Sequence, residues 1–144
     1  MNAYLREATM EDMDLLLEWA NDPVTRANSF STDPIPYENH VRWFTKLLAN
    51  PHSRQFILMV DEKPCGQCRA DITDGIAEID CSIAPGERRH GYGDLMFNLL
   101  VERLKQEPEI TTIRACVKTG NTGSEKCLLS SGFQKKYEVL ERNL

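Results

Sequence analysis

The sequence contains no apolar run near the roughly 18 residues that a membrane-spanning helix needs. Its first residues lack the charged-then-apolar pattern of a secretion signal, and no internal repeat, low-complexity tract or linker interrupts the chain. These absences predict a cytoplasmic protein with no membrane partner. The 144 residues suit one core, so we expect a single domain over residues 1–144.

An excess of positive charge is also missing. Lys and Arg number 17 against 22 Asp and Glu, which gives a net charge of −5. Proteins dedicated to nucleic acid are usually basic, so we expect no nucleic-acid partner. One basic cluster, Arg88, Arg89 and His90, stands out against this acidic background. That cluster would suit a small polyanionic ligand.

The five cysteines are odd in number and scattered, which disfavours a secreted disulfide framework. Cys65 and Cys68 have the spacing of a redox or metal-binding pair, but no second pair and no nearby histidine complete a zinc set. In a strand, side chains three residues apart point to opposite faces. We therefore expect structural cysteines and no metal site.

A glycine-bearing segment separates a strand-like run from a predicted helix. The run over 78–84 is followed by a turn at Pro85-Gly86, then by Gly91 and Gly93, then by leucines and a methionine at helical spacing. A helix N-terminus carries unpaired N–H groups and a positive dipole end, and glycine lets a phosphate approach that backbone closely. The residues alone allow an anion cradle or a plain tight turn.

The order of residues in this segment resembles a known signature. Arg88-x-x-Gly91-x-Gly93 resembles the acetyl-coenzyme A motif Q/R-x-x-G-x-G/A of the GNAT N-acetyltransferase superfamily. The strand and Pro-Gly turn before it, and the later run from Asn121-x-x-Ser124 to Gly132-Phe133, are similar to the same family. The resemblance covers nearly the whole chain. It implies acetyl-CoA as co-substrate and no metal.

The resemblance also implies the fold class, α+β (mixed α/β). We expect a central, mixed, mostly antiparallel sheet that is splayed between strands 4 and 5 and flanked by helices on both faces. Hydrophobic periodicity and turn residues predict strands over 3–8, 55–60, 65–72, 78–84, 111–117 and 133–140, and helices after a capping-box-like Thr9–Asp12 start, over about 37–49, through Leu104 and over 122–131. The resulting order, β-α-α-β-β-β-α-β-α-β, is that of the GNAT fold.

Alternation in the fourth strand places Glu78, Asp80, Ser82 and Ala84 on one face, which we expect to look into a cleft. Glu78 and Asp80 would lie about 7 Å apart, so one charge would disfavour ionisation of the other where water is scarce. Such a carboxylate suits a general base for an amine, whereas the alternative is an ordinary solvated sheet face. The resemblance favours Glu78 as base or water-organiser, with Asp80 second.

The resemblance further implies which residues contact acetyl-CoA. Backbone N–H groups near Ile83 and Ala84 would act as oxyanion donors, and amides from Arg89 to Asp94 would hold the pyrophosphate. The full set of implied cofactor contacts is Ile83, Ala84, Arg88, Arg89, His90, Gly91, Tyr92, Gly93, Asp94, Asn121 and Ser124. Many GNAT enzymes have a tyrosine seven residues after the asparagine, which protonates the leaving thiolate. This chain has Leu128 there, so the general acid is unassigned.

The N-terminal third contains Trp19-Ala20-Asn21-Asp22-Pro23, Arg26, Ser29-Phe30, Pro34-Ile35 and His40-x-x-Trp43-Phe44. In these residues it resembles GNAT enzymes that acetylate amino-sugar nucleotides, especially the UDP-linked 4-amino sugars of pseudaminic acid-type synthesis. Arg26 would pair with a diphosphate, and Phe30 or Trp43 would stack on uracil or a sugar face. His40 is a further polar candidate for ligand contact. The alternative for Trp43 is packing against the sheet.

Two other functions fit the same residues. A protein N-terminal or ribosomal-protein acetyltransferase shares the Trp-x-Asn-Asp-Pro-like start at Trp19, but a peptide acceptor would need an open groove. An inactive acetyl-CoA-binding module would explain the missing tyrosine, whereas Glu78 and the polar strand face oppose it. A homodimer is also compatible with the resemblance.

Overall fold

The computed structural model describes residues 1–144 and contains one five-stranded sheet with helices on both faces. The strands are β1 (Ala3–Glu7), β2 (Ser53–Val60), β3 (Lys63–Thr73), β4 (Ile76–Ile83) and β5 (Thr112–Ala115). A 3-10 turn over Met10–Asp12 precedes α1 (Met13–Ala20), and the remaining helices are α2 (Pro23–Ala27), α3 (Tyr37–Ala49), α4 (Tyr92–Leu104) and α5 (Thr122–Ser130). None of these helices has the length and apolarity needed to cross a membrane.

The strands lie in chain order, β1 to β5, and neighbouring strands from β1 to β4 are antiparallel. Two-residue turns at Asp61-Glu62 and Asp74-Gly75 join β2 to β3 and β3 to β4, and all four residues have positive φ. Such turns match the right-handed twist of the flanking strands. Tight hairpins therefore bring the three central strands into register.

The sheet opens between β4 and β5, as expected. β5 runs parallel to β4 and pairs only with its first half, from Ile76 opposite Thr112 to Ile79 opposite Ala115. The second half of β4, residues 80–83, has a partner strand on the β3 side alone. This splay leaves a wedge beside the end of β4.

Two buried clusters cover the two faces of the sheet. On one face, α4 and α5 pack on β2–β4 through Phe56, Leu58, Cys68, Ile79, Met96, Phe97, Leu100, Leu104 and Leu128. On the other face, α1 and α3 pack through Leu16, Trp19, Phe44, Leu47, Ile57, Met59 and Ala84. Both faces of β2 are therefore buried, which explains its continuous apolar run.

Local sequence sets the N-terminal helices. Thr9 and Asp12 form the predicted capping box, in which the Asp12 carboxylate accepts from the Thr9 amide at 2.9 Å. Asp22 caps α2 by accepting from the Thr25 amide at 3.1 Å, and Pro23 occupies the first helical position. Only Asn21 and Asp22 therefore separate α1 from α2.

The strand predicted over 133–140 is wrong. Phe133 packs against Phe97 with ring centroids 6.3 Å apart, but the residues after Phe133 are exposed and form no strand. β-branched and aromatic residues favour a strand only where a neighbouring strand accepts the ladder. The nearby β5 offers only four residues, since it ends at the splay rather than at Val117 as predicted.

Candidate active site

A cleft of about 840 Å³ lies where the sheet splays. Its walls come from α1–α3, from the polar face of β2–β4, from the loop before α4, and from residues after β5 and in α5. The predicted cofactor half and the predicted acceptor half thus share one continuous space.

Most of the predicted site residues line this cleft. They are Arg26, Phe30, His40, Trp43, Asp80, Ile83, Arg88, Arg89, Gly91, Tyr92, Gly93, Asn121 and Ser124. Four predicted residues are absent from its wall, namely Glu78, Ala84, His90 and Asp94.

The N-terminus of α4 presents free donors to the cleft. Gly91 is the N-cap with φ of +76°, and no side chain caps this helix. The amides of residues 91–94 donate to no protein acceptor. A Cβ placed on Gly91 would meet nothing within 4 Å, so the glycine is needed for its left-handed backbone rather than for space. Free amides at a positive dipole end fit the diphosphate of acetyl-CoA.

The side chain of Arg88 turns toward the acceptor half. Its guanidinium donates to Asp22 Oδ2 at 2.8 Å and to Thr25 Oγ1 at 3.2 Å, at the N-terminus of α2. Arg88 lowers the pKa of the Asp22 carboxyl, since the charged hydrogen bond favours the carboxylate. Arg88 therefore anchors the loop before α4 on α2.

Only one of the two predicted oxyanion donors is free. The amide of Ala84 donates to the carbonyl of Cys65 at 2.9 Å, so it is already used by the sheet. Hydrogen-bonded and non-bonded pairs alternate along β3 and β4, and Ile83 opposite Gly66 falls in a non-bonded pair. Its N–H therefore points away from β3, toward the wedge where β5 has ended.

The polar face of β4 looks into the cleft as predicted, but the carboxylate in the wall is that of Asp80. Asp80 Oδ2 lies 3.4 Å from Gln67 Nε2 and 3.9 Å from Arg69 Nη1. Glu78, two residues earlier in β4, lies outside the cleft wall. It accepts a hydrogen bond from the Cys116 thiol at 3.2 Å. That hydrogen bond raises the pKa of the Cys116 thiol.

Arg26 and His40 both have structural contacts in the acceptor half. Arg26 donates from Nε to the carbonyl of Ala20 at 2.6 Å and from Nη1 to that of Ser31 at 3.0 Å, which folds the loop after α2. His40 is buried, and its Nε2 lies 2.9 Å from the carbonyl of Met13. Both side chains still border the cleft.

Two aromatic side chains in the acceptor half remain open to solvent. Phe30 is 73% exposed and Trp43 is 43% exposed. The guanidinium of Arg69 lies 5.2 Å from the centroid of the Trp43 ring, a cation–π arrangement. Trp43 is therefore not a core residue, and one flank of the cleft is aromatic.

The cleft is basic although the chain is acidic. Its lining contains the five cations Arg26, Arg69, Arg88, Arg89 and Lys118 and only the two carboxylates Asp80 and Glu87. Lys118 also donates to the carbonyl of Ala27 at 3.0 Å, so it bridges the segment after β5 and the end of α2. The local charge suits anionic ligands.

Helix α5 has a polar N-terminus, but its seventh residue is Leu128 and carries no hydroxyl. Asn121 Oδ1 accepts from the Ser124 amide at 3.3 Å and caps the helix, which leaves its Nδ2 free. Leu128 is buried against α4. The adjacent Cys127 donates to Asp94 Oδ1 at 2.9 Å, and burial together with that carboxylate raises the pKa of Cys127 to about 12.

Sequence reasoning missed several polar residues of the wall, among them Gln55, Gln67 and Arg69. Gln55 directly precedes the apolar run of β2, and Gln67 lies between the buried residues Gly66 and Cys68 of β3. A carboxamide within a buried strand was the available signal, since a buried polar side chain needs a specific partner.

The comparisons with known proteins agree with this geometry. The sequence matches the family described as "Acetyltransferase (GNAT) domain" over residues 2–134. Acetyltransferase PseH of Campylobacter jejuni is 24% identical over 129 residues, which cover 88% of this chain and 80% of PseH.

Solved structures share the fold. Aminoglycoside acetyltransferase AAC(6')-Ib in complex with coenzyme A superposes with a TM-score of 0.81 at 23% identity, covering 94% of this chain and 86% of that one. Spermidine N-acetyltransferase from Vibrio cholerae, in complex with CoA and spermine, gives 0.88 at 16% identity, covering 99% and 86%. The chain belongs to the GNAT acetyltransferase family and is an N-acetyltransferase that uses acetyl-CoA as its co-substrate.

Proposed function

We propose that this enzyme transfers the acetyl group of acetyl-CoA to a primary amine, the 4-amino group of a UDP-linked amino sugar, by direct attack in a ternary complex. The observation that carries the proposal is the single continuous cleft. It joins the free amides of α4, the N–H of Ile83 and the aromatic, basic wall of α2 and α3. Both substrates can therefore be bound together.

Three groups of the cofactor half have separate tasks. The amides of residues 91–94 bind the pyrophosphate, and the free Nδ2 of Asn121 contacts the pantetheine arm. The N–H of Ile83 points into the wedge and stabilises the oxygen of the thioester carbonyl as negative charge develops there.

The amine must lose a proton before it attacks. An alkyl amine with a pKa near 10.4 is neutral in about one of 2,500 molecules at pH 7, a penalty of about 4–5 kcal/mol. Asp80 in the cleft wall is the nearer acceptor for this proton, and Glu78 is the second candidate. The carboxylate passes this first proton on to solvent; as the C–N bond then forms and the C–S bond breaks, the second proton of the nitrogen passes to the ionised carboxylate and the sulfur leaves as thiolate. A thiol of pKa near 8.5 is a tolerable leaving group without a tyrosine.

The charge of the cleft favours an anionic acceptor. Arg26, Arg69 and Lys118 surround the acceptor half, and Asp80 is its one carboxylate. A polyamine would need several carboxylates there, whereas a nucleoside diphosphate needs cations. Four of the five N–H donors of Arg26 are used within the loop, so it contributes its charge and one donor.

The aromatic flank supports the same acceptor class. Phe30 is largely exposed, and Trp43 is partly exposed beside the guanidinium of Arg69, so uracil or a sugar can stack on this flank. We also propose a cytoplasmic location, because acetyl-CoA is supplied there.

A panel of acceptors tests the proposal. Release of free thiol from acetyl-CoA is measured with a UDP-linked 4-amino sugar, the same sugar without UDP, spermidine, kanamycin and a peptide with a free N-terminus. We expect the highest kcat/KM for the UDP-sugar and at least a tenfold higher KM when UDP is removed. Preference for spermidine or the peptide would contradict the acceptor assignment. Thermal stabilisation by acetyl-CoA without thiol release from any acceptor would favour the binding-module alternative.

A further inference from the structure

A row of polar side chains crosses three strands on the floor of the cleft. Gln55 of β2 donates from Nε2 to Gln67 Oε1 of β3 at 2.8 Å. Gln67 in turn donates from Nε2 to Ser82 Oγ at 3.1 Å and to Asp80 Oδ2 at 3.4 Å, both on β4. All four residues line the cleft.

Buried backbone carbonyls fix the direction of this row. Gln55 Nε2 lies 3.2 Å from the carbonyl oxygen of Cys68 and 3.4 Å from that of Phe56. A carbonyl only accepts, so this end of Gln55 must be its NH2 group. The oxygen of Gln67 must then face Gln55, and the NH2 group of Gln67 must face Ser82 and Asp80. The orientation therefore follows from the backbone.

The NH2 group of Gln67 sets the distance between its two acceptors, Asp80 Oδ2 and Ser82 Oγ. The two N–H bonds of a planar carboxamide diverge by about 120°, so acceptors on both lie about 5–6 Å apart. An amino group, which carries at least two N–H donors, can reach two oxygens at that separation. Ser82 also directly precedes Ile83, whose N–H is free.

We propose that Asp80 Oδ2 and Ser82 Oγ together hold the amino group of the acceptor. This inference rests on the proposed function, in which the acceptor is a primary amine. Ser82 is then a catalytic residue beside Asp80. Gln67 and Gln55 are positioning residues that act through those two oxygens.

The two lone pairs of Ser82 Oγ accept from different donors. Gln67 occupies one lone pair of Ser82 Oγ, which leaves the other to accept an N–H of the amine. A second N–H of the amine points to Asp80, which takes the proton as the C–N bond forms. The electron pair of the broken C–S bond leaves with sulfur, and Ser82 itself is unchanged.

A pair of isosteric variants isolates the hydroxyl of Ser82. Ser82→Thr and Ser82→Val have nearly equal side-chain shapes, and only threonine keeps an oxygen. We expect kcat/KM for the best acceptor of the panel to be about tenfold or more lower in the valine variant than in the threonine variant, with equal KM for acetyl-CoA. Equal kcat/KM for the acceptor in the two variants would overturn the assignment.

A second measurement works without a known acceptor. The side-chain 15N–1H signals of Gln67, identified by their loss in Gln67→Met, are followed during titration with n-butylamine in the presence of coenzyme A. n-Butanol is the matched control. We expect the amine to shift these signals and the alcohol to leave them in place, and we expect the double variant Asp80→Asn/Ser82→Val to abolish the response.

The two measurements separate the two claims. No butylamine shift in an enzyme that acetylates a member of the panel would overturn the proposed amine position. A clear shift together with no turnover of any acceptor would support the amine position and refute the proposed function.

Discussion

The guanidinium of Arg88 donates to the carboxylate of Asp22 at 2.8 Å, across the boundary between the two halves of the cleft. Arg88 belongs to the loop that precedes α4, and Asp22 is the N-cap of α2. The same carboxylate oxygen accepts from the Thr25 amide. One ion pair therefore links the loop proposed to bind acetyl-CoA to the helix that carries Arg26.

This link predicts that the two binding steps are coupled. Arg88→Ala should raise KM for the acceptor as well as for acetyl-CoA, because α2 loses its anchor. Asp22→Ala should do the same, and the double variant should be less impaired than the sum of the singles by about 0.5–3 kcal/mol. Steady-state kinetics of the four proteins check this. Strict additivity, or an effect on acetyl-CoA alone, would contradict the coupling.

A substitution of Gly93 should weaken acetyl-CoA binding without lowering the stability of the fold. A Cβ at this position would lie 3.5 Å from Cys127 Sγ, an ordinary contact, and φ is not positive. Gly93→Ala should therefore keep or slightly raise the Tm, since alanine is the better helix former. Its methyl group should keep a phosphate from the α4 amides and weaken acetyl-CoA binding about tenfold or more. Calorimetric titration and thermal melts measure both, with the exposed Asn98→Ala as control.

The two β4 carboxylates should differ in their effect on turnover. Asp80 lines the cleft, whereas Glu78 lies outside it beside Cys116. Asp80→Asn should lower kcat by at least tenfold more than Glu78→Gln, with little change in the thermal shift produced by acetyl-CoA. Thiol release at saturating acetyl-CoA provides the comparison. A greater loss in Glu78→Gln would return the base to the residue favoured by the sequence.

A partly buried ion pair between Arg6 and Asp12 predicts acid-sensitive stability. Asp12 is 6% exposed and receives two 2.8 Å hydrogen bonds from Arg6. These bonds lower the pKa of the Asp12 carboxyl in the folded state. A lowered pKa contributes stability that is complete above the ordinary carboxyl range near pH 4 and is lost as the pH falls through the folded value.

Asp12→Asn should therefore reduce the free energy of unfolding at pH 7 by about 1–3 kcal/mol. The gap between the variant and the parent should narrow below about pH 4, where the parent carboxyl becomes protonated. Urea melts from pH 7 to pH 2.5 measure both stabilities. A gap that stays constant over this range would show that Arg6 does not act through the charge of Asp12.

Patterns set by local chemistry were predictable from the sequence. The capping box at Thr9, the span of α3 and the glycine-bearing start of α4 each depend on residues a few positions apart. The predicted last strand was wrong because a strand also depends on a partner that is distant in the chain, and β5 is too short to provide one. Periodicity carries no information about such partners.

The site shows the same division. Alternation along β4 placed Asp80 and Glu78 on the same polar face. Only the structure shows that Asp80 lines the cleft and Glu78 does not. Arg26 was a plausible ligand by residue type, and its bonds to loop carbonyls were invisible to the sequence. Gln55 and Gln67 were missed because their partners lie across strands rather than along one.

The end of β4 also has a consequence for the choice of acyl donor. Residues 80–83 form one rim of the wedge, and the N–H of Ile83 points into the wedge with no strand opposite it. The pantetheine portion of acetyl-CoA has two amides of its own, so it can stand in for the absent strand and complete the ladder. Acetyl phosphate or a short S-acetyl thiol has no such peptide-like portion. We therefore expect the enzyme to discriminate against truncated donors, even though they carry the same reactive acetyl group.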